Sequence, residues 1–203
     1  MEYRLFEEGT TPYQSTADYH ADRERAPHLE QGVHVGRLHL AAEMVHDAVH
    51  AVRQRGELIP TVSDLGCGDG GLLSLLKGVP GLLSWGYDFA PANAAGWTER
   101  GVAAEALDVF GVDRESVRLG SIVVTTEVLE HLADPHGAVW WIGAKARFLV
   151  ASSPWTETAE SHDACHVWAW DMEGYRALLE QGGFTVVRHE KVGQFQVILG
   201  ERR

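Results

Sequence analysis

The chain has 203 residues, of which 45% are hydrophobic, and this size and composition predict one globular domain (1–203) with a substantial core. Its formal net charge is −12 and no basic run is present, which argues against a long nucleic-acid partner, because phosphate contacts need clustered Lys and Arg. The two cysteines, Cys67 and Cys165, do not suggest a disulfide scaffold and favour a reducing, cytoplasmic location.

Residues 1–35 are polar and irregular, and we expect them to form a cap segment. The stretch 1–4 lacks the apolar core of a signal peptide, and no run reaches the roughly 18 apolar residues of a membrane-spanning helix. We therefore expect no membrane partner. A helix is predicted over about 36–54, where apolar residues recur at helical spacing until Gly56.

Strand and helix signals alternate along the rest of the chain. Strands are predicted near 60–65, 83–88, 103–107, 120–126 and 146–152, and helices near 70–77, 91–100, 135–145 and 172–182. Such alternation predicts an α/β fold with a doubly wound parallel sheet and helices on both faces. Two β-rich runs, 184–190 and 194–199, end the chain and predict an antiparallel pair.

A glycine-rich stretch, 63–71, follows the first of these strands and precedes an apolar helix. Glycines allow a tight turn and close backbone approach to a ligand, and a helix N-terminus favours an anionic group. Gly66, Gly68 and Gly71 also fit the dinucleotide pattern G-x-G-x-x-G. Asp64, however, favours a ligand with an ammonium group over one with a pyrophosphate. A dinucleotide site and a glycine turn without a ligand are the alternatives.

The stretch 64–70 resembles motif I of class I S-adenosylmethionine (SAM)-dependent methyltransferases, which reads acidic-x-G-x-G-x-G. This resemblance implies a Rossmann-like, seven-stranded sheet ending in the antiparallel pair. It also implies SAM as cofactor, bound by the loop residues Asp64, Gly66, Cys67 and Gly68.

Two later acidic residues fit the same site. Asp88 follows Gly66 by 22 positions, close to the roughly 20 expected for an acid that accepts ribose hydroxyls; Phe89 follows it as a further cofactor contact. The stretch 106–110 is similar to the family's third motif, which implies that Asp108 meets the adenine amino group while Val109 or Phe110 packs on the ring. Alternatively, Asp88 only caps the following helix and Asp108 is an ordinary turn residue.

A second cluster of polar residues follows the fourth strand, within 121–135. If this stretch is helical, Glu127, Glu130 and His131 share one face through i, i+3, i+4 spacing. They are then either ligands of a divalent cation or a general base with its orienting partners, and Glu127 also lies at the cofactor.

The stretch resembles two methyltransferase groups. In small-molecule O-methyltransferases related to ubiquinone biosynthesis, Glu-x-x-Glu-His is common here. In small-RNA 3′-terminal 2′-O-methyltransferases, the matching residues bind a metal with a later histidine, which His166 partly matches. The chain departs from the RNA enzymes by its acidic surface and by lacking a Glu between Trp168 and Trp170.

We expect the segment 152–170 to be an active-site loop that closes over the substrate together with the cap segment. It carries the candidate residues His162, Cys165 and His166, and the tryptophans Trp155, Trp168 and Trp170. The candidate substrate-binding residues are Tyr13, Tyr19, Trp155, His162 and Trp168. Alternatively, the tryptophans fill the core. A zinc site at 162–166 is disfavoured, because no second ligand pair with finger spacing exists.

These patterns predict a SAM-dependent methyltransferase that acts on an oxygen of a small polar metabolite, as a monomer or homodimer. His131, Glu127 and His166 are the predicted catalytic residues. A metal is not favoured; if one is bound, its ligands are Glu127, Glu130, His131 and His166. The alternatives are metal-dependent 2′-O-methylation of an RNA 3′ end and a non-catalytic SAM-binding partner or sensor subunit.

Overall fold

The computed structural model describes residues 1–6, 10, 16, 18–19, 24–25, 27–111, 114 and 117–203. Within these ranges nine strands are present: β1 (Glu2–Arg4), β2 (Thr61–Leu65), β3 (Leu83–Asp88), β4 (Ala104–Ala106), β5 (Ile122–Thr126), β6 (Phe148–Pro154), β7 (Trp168–Trp170), β8 (Phe184–Val192) and β9 (Phe195–Arg202). The helices are α1 (Gly32–Gln54), α2 (Gly71–Leu76), α3 (Ala94–Arg100), α4 (Pro135–Lys145) and α5 (Met172–Gln181). No helix of the described ranges is long and apolar enough to cross a membrane.

Seven strands form the main sheet in the order β4-β3-β2-β5-β6-β9-β8. The first five run parallel, and β9 pairs antiparallel with both β6 and β8. The predicted doubly wound sheet with a terminal antiparallel pair is therefore confirmed. From β2 the chain adds β3 and β4 on one side and then returns to add β5 on the other side of β2. In sheets of this kind ligands bind beyond the carboxyl ends of the strands at this switch point.

Helices cover both faces of the sheet because successive strand residues point to opposite sides. Val124 and its neighbours pack under α1 and α2, whereas Val123 belongs to the cluster that contains α4 and α5. In α1 the buried positions include Leu38, Ala41, Val45 and Ala48, which is the stripe predicted from the sequence.

A second, two-stranded sheet was not predicted. β1 pairs antiparallel with β7, with Tyr3 opposite Ala169. The two predicted irregular segments therefore contain regular structure. The cap segment 1–35 includes β1 and the start of α1. The segment 152–170 likewise contains the end of β6 and all of β7, so the loop proper is 155–167.

Candidate functional site

The glycine loop joins β2 to α2 at the carboxyl edge of the sheet. Gly66, Gly68 and Gly70 have φ angles of 75°, 53° and 83°, a region that glycine adopts without strain. A Cβ atom on Gly66 would lie 2.4 Å from Val128 Cγ2, so a side chain does not fit there. The sequence therefore forms this loop because its glycines stand where the backbone turns.

Asp64 lies at the base of this loop and is 1% exposed. Among the described residues, its Oδ1 atom has no hydrogen-bond partner. Burial, reinforced by the nearby Asp88 carboxylate and opposed by Arg37, raises the pKa of Asp64 to about 7. A buried carboxylate without a partner destabilises the unliganded protein, and an ammonium group is the complement it lacks. The residues present therefore fit the amino-acid end of SAM.

Asp88 ends β3 and holds the loop in place. Its Oδ2 accepts a hydrogen bond from the Gly68 N–H at 2.8 Å, and its Oδ1 accepts from the Ala90 N–H at 2.8 Å and Asn93 Nδ2 at 3.0 Å. Each carboxylate oxygen has about two acceptor positions. Oδ2 thus retains capacity for a ribose hydroxyl.

Two further predicted cofactor residues flank this centre. The side chain of Cys67 packs with Leu73 and Trp97 in a small core cluster, and its N–H donates to the Tyr87 carbonyl at 3.0 Å. This placement gives Cys67 a packing role and does not support a side-chain contact with the cofactor. Phe89 is half-buried directly after β3, at the same edge as Asp88.

Asp108 and Val109 follow β4. Asp108 Oδ1 accepts hydrogen bonds from the Phe110 and Gly111 N–H groups at 3.2 and 3.0 Å, so it closes a turn, as an Asx residue commonly does. Val109 is 3% exposed and belongs to the main core cluster. An adenine contact at Asp108 stays a prediction, while the observed packing of Val109 is against the core.

Glu127 stands at the end of β5 with a φ of 58°, a left-handed conformation unusual for a residue other than glycine. Its Oε1 accepts a hydrogen bond from Ser152 Oγ at 2.8 Å and lies 3.9 Å from Arg37 Nε. Burial raises the pKa of Glu127, while Arg37 and Ser152 oppose the shift. Backbone strain of this kind costs about 1–3 kcal/mol and clusters at functional sites.

Arg37 of α1 is a site residue that the sequence analysis missed. It is 1% exposed, and its guanidinium lies 5.2 Å from the centre of the Phe195 ring. Within the described part of the chain, Arg37 Nε has no hydrogen-bond partner. The sequence does contain a sign of its burial. Arg37 precedes Ala41 by four residues and so lies on the apolar face of α1 that packs against the sheet.

Glu130 and His131 lie on a 3-10 turn, Leu129–His131, where a helical face was expected. Glu130 is fully buried, and neither of its carboxylate oxygens has a hydrogen-bond partner among the residues described here. Burial, followed by the charge of Glu127, raises the pKa of Glu130 well above its usual range. Burial and the neighbouring negative charge therefore both disfavour the charged form of Glu130.

His131 and His166, two of the predicted catalytic residues, meet across this turn. Their ring centroids are 4.7 Å apart. One potential ligand atom each from His131, Cys165 and His166 lies within 4.8 Å of the others. The structure thus groups Cys165 with the two histidines, whereas the predicted metal set had Glu127 and Glu130 in its place. Imidazole and thiolate donors suit zinc-like ions better than Mg²⁺.

The tryptophans of the 152–170 segment have different environments. Trp155 Nε1 donates to the Gly193 carbonyl at 3.0 Å, and Lys191 Nζ lies 3.4 Å from its ring centre, so Trp155 is tied to the β8–β9 turn. Trp168 is 9% exposed and stacks on Trp170 at 6.0 Å. Trp168 therefore packs in the main core cluster, and its contact with substrate stays a prediction.

Within the loop, His162 Nδ1 lies 3.2 Å from the Thr158 carbonyl oxygen. His162 thus bonds within its own loop. Tyr19 is half-buried, and Tyr13 lies outside the described residues.

Two residues of the cap segment, Arg25 and His28, lie over the glycine loop, and Arg100 of α3 contacts the same loop. Asp69 of the loop, nearly fully buried, accepts from Arg25 Nη2 at 3.0 Å and from Arg100 Nη2 at 2.7 Å. A Cβ atom on Gly68 would lie 3.8 Å from His28 Nδ1. Residues of the cap thereby border the space above the loop.

No protein-family model and no curated protein matches the sequence. Solved structures do match the fold. The N-methyltransferase NodS from Bradyrhizobium japonicum WM9, in complex with S-adenosylhomocysteine (SAH), matches with a TM-score of 0.68 and 16% identity, covering 94% of this chain and 97% of that chain. An O-methyltransferase family protein from Burkholderia thailandensis matches with a TM-score of 0.59 and 13% identity over 81% of this chain.

The present chain spans 58% of the Burkholderia protein, which is less than two thirds of its length. A third match is the (4+2)-cyclase SpnF, with a TM-score of 0.64 and 11% identity, covering 81% of this chain and 80% of that chain. The chain therefore has the fold of class I SAM-dependent methyltransferases. Because one fold carries N-transfer, O-transfer and a cyclisation among these matches, the reaction has to be argued from the site.

Proposed function

We propose that this chain is a SAM-dependent methyltransferase that methylates an oxygen of a small polar metabolite. The single observation that carries the proposal is Asp64, a buried carboxylate without a partner on Oδ1 among the described residues, at the glycine loop of this fold. SAM supplies an electrophilic methyl group on a sulfonium sulfur, and its ammonium group complements Asp64. Asp88 would hold a ribose hydroxyl through Oδ2.

The acceptor side is formed by Glu127, His131 and His166. A methyl transfer of this kind needs no covalent enzyme intermediate, so the protein positions the acceptor and removes its proton. An imidazole is suited to take the proton of a hydroxyl group. The acidic balance of the chain, with a net charge of −12, favours a small acceptor over a polyanion.

Isothermal titration with SAH and with NAD tests the cofactor assignment. We expect SAH to bind and NAD not to bind. Turnover is then tested by following SAH formation from SAM across a library of hydroxylated metabolites. A chain that binds SAH tightly but converts no acceptor would support the alternative of a non-catalytic SAM-binding subunit.

Asp88→Ala is expected to weaken SAH binding by about 1.5–3 kcal/mol, because charge-assisted hydrogen bonds to the ribose are lost. Asp88 also holds the loop through Gly68 and Ala90, so thermal unfolding of the unliganded variant must be measured in parallel. Glu105→Gln, at an exposed position on the neighbouring strand, is the control for loss of a negative charge. Unchanged SAH affinity in the Asp88 variant would remove the ribose assignment.

Closure of the cap segment and of the 155–167 loop is expected to slow proteolysis when SAH and the acceptor are bound. Trypsin probes the cap at Arg25, and a glutamate-specific protease probes the loop at Glu157 and Glu160. Cleavage at both places should slow relative to the unliganded protein. Equal rates in the two states would show that neither segment acts as a lid.

Metal-assisted 2′-O-methylation of an RNA 3′ end is the second candidate. Two observations favour a metal, namely the grouping of His131, Cys165 and His166 and the buried carboxylate of Glu130, which has no hydrogen-bond partner in the described ranges. Against this candidate, Glu127 is already bonded to Ser152 and lies beside Arg37. A requirement for a metal ion separates the two candidates.

A further inference from the structure

Glu157 and His166 form a short, largely buried contact that the mechanism above does not use. His166 Nδ1 lies 2.6 Å from Glu157 Oε2, and the two side chains are 10% and 14% exposed. A hydrogen bond to a charged group at this distance is among the stronger ones in proteins. It therefore fixes the orientation of the imidazole ring.

The second carboxylate oxygen of Glu157 is also occupied. Its Oε1 accepts a hydrogen bond from the Asp163 N–H at 3.0 Å. Because an ionised carboxylate only accepts, the bond to His166 requires a proton on Nδ1. The neutral His166 ring then carries its lone pair on Nε2.

His131 provides the comparison. Its Nδ1 lies 3.2 Å from the Cys165 carbonyl oxygen, which likewise accepts only, so it too is held with the proton on Nδ1. A peptide carbonyl carries a partial charge, whereas Glu157 carries a full one. The Glu157 carboxylate thus faces any positive charge on the His166 ring directly, while the charge of Asp163 acts on both rings. Glu127 also lies near enough to interact electrostatically with His166.

We propose that Glu157 is a positioning residue that holds His166 as the general base of methyl transfer, an inference that rests on the proposed function. In this step the acceptor oxygen forms the new C–O bond while the S–C bond breaks, and the bonding pair stays on sulfur. The acceptor proton passes to His166 Nε2. Glu157 remains ionised, keeps Nε2 directed at the acceptor and balances the imidazolium charge.

Glu157→Gln tests the inference because the substitution keeps size but removes one acceptor. The Asp163 N–H needs an oxygen opposite it, which turns the NH₂ group of the new amide side chain toward His166 Nδ1. The NH₂ group only donates, so His166 is expected to move its proton to Nε2. Glu157→Asp retains two acceptor oxygens and serves as the conservative variant.

The readout is the tautomer of His166, measured by long-range ¹H–¹⁵N NMR of histidine-labelled, SAH-bound protein at mildly alkaline pH. His166→Gln assigns the signal. We expect the Nδ1–H tautomer in the wild type, the Nε2–H tautomer or a mixture in Glu157→Gln, and substantial Nδ1–H in Glu157→Asp. The His131 signal is the internal control and should not change.

Turnover supplies the second readout once an acceptor is known. Glu157→Gln should lower kcat by roughly 10²- to 10⁴-fold with little change in KM, the usual contribution of a positioned base. His166→Ala should lower kcat similarly, and the double variant should lose no more, because the two residues act as a unit. The conservative Glu157→Asp variant should recover part of the loss.

An Nε2–H tautomer of His166 in the wild type would overturn the inference. So would an unchanged tautomer in Glu157→Gln, or additive losses in the double variant. A wild-type chain with the expected tautomer shift but no turnover of any acceptor would instead contradict the proposed function, so the two failures are distinguishable.

Discussion

Replacing Asp64 by Asn is expected to abolish tight SAH binding while stabilising the unliganded protein. The ammonium group of SAH would lose a buried charge partner, and breaking such a pair costs about 3–5 kcal/mol. This corresponds to a rise in Kd of at least about 100-fold. Isothermal titration measures it, with the exposed Glu105→Gln as the control for charge.

The stability change has the opposite sign. The pKa of the Asp64 carboxyl is 3.8 when unfolded and about 7 when folded, so between these values the folded state holds one proton more than the unfolded state. The free energy of unfolding therefore falls as pH rises through this window, by up to about 4 kcal/mol, and is level above it. Asn has no such pH dependence, but its buried amide also lacks a full set of hydrogen bonds. The free energy of unfolding of the variant is therefore expected to exceed that of the wild type by about 1–2 kcal/mol above pH 7.

Thermal unfolding of the unliganded wild type and Asp64→Asn, from pH 5 to pH 8, checks this expectation. The curves should diverge as pH rises, with the variant more stable at the upper end. Because SAH pairs with the ionised carboxylate, its affinity for the wild type should also weaken as pH drops below about 7. A variant that binds SAH as tightly as wild type would show that Asp64 does not hold the ammonium group.

Methyl transfer is expected to survive removal of divalent metal ions. The protein is treated with EDTA, passed over a desalting column and analysed for bound metal, and turnover is then measured with an acceptor found in the metabolite screen. If an imidazole is the base, turnover continues, and His166→Ala lowers it by about 10²- to 10⁴-fold. His39→Ala is the control for loss of an imidazole, since His39 is exposed on α1, outside the candidate site.

The metal-assisted candidate predicts a different pattern. The chelated enzyme would be inactive until Mn²⁺ or Zn²⁺ is restored, and His131→Ala, Cys165→Ser and His166→Ala would each abolish metal binding and turnover together. Loss of turnover on chelation, recovered by added metal, would contradict a metal-free mechanism. If Cys165→Ser keeps its activity, the Cys165 thiol is not a required metal ligand.

The sequence alone predicted two features of the fold: the strand–loop–helix order around the glycines and the alternation of strands with helices. Both depend on local periodicity and on residues next to one another. Asp64, Asp88 and Glu127 could be predicted as site residues for the same reason: each is a carboxylate at the end of a β-rich run, and parallel strands bring their carboxyl ends to one edge. The pairing of His131 with His166 was also anticipated, through a resemblance in two short stretches.

What only the tertiary structure decided are contacts between segments far apart in the chain. β1 pairs with β7 across more than 160 residues, which converts Trp168 from a loop residue into a buried one, and no local pattern encodes that register. Arg37 reaches Glu127 only because α1 packs on the sheet. Glu157 meets His166 only through the folding of the loop between β6 and β7. Periodicity determines which residues of an element share a face, whereas the partner of a face is set by packing of the whole chain.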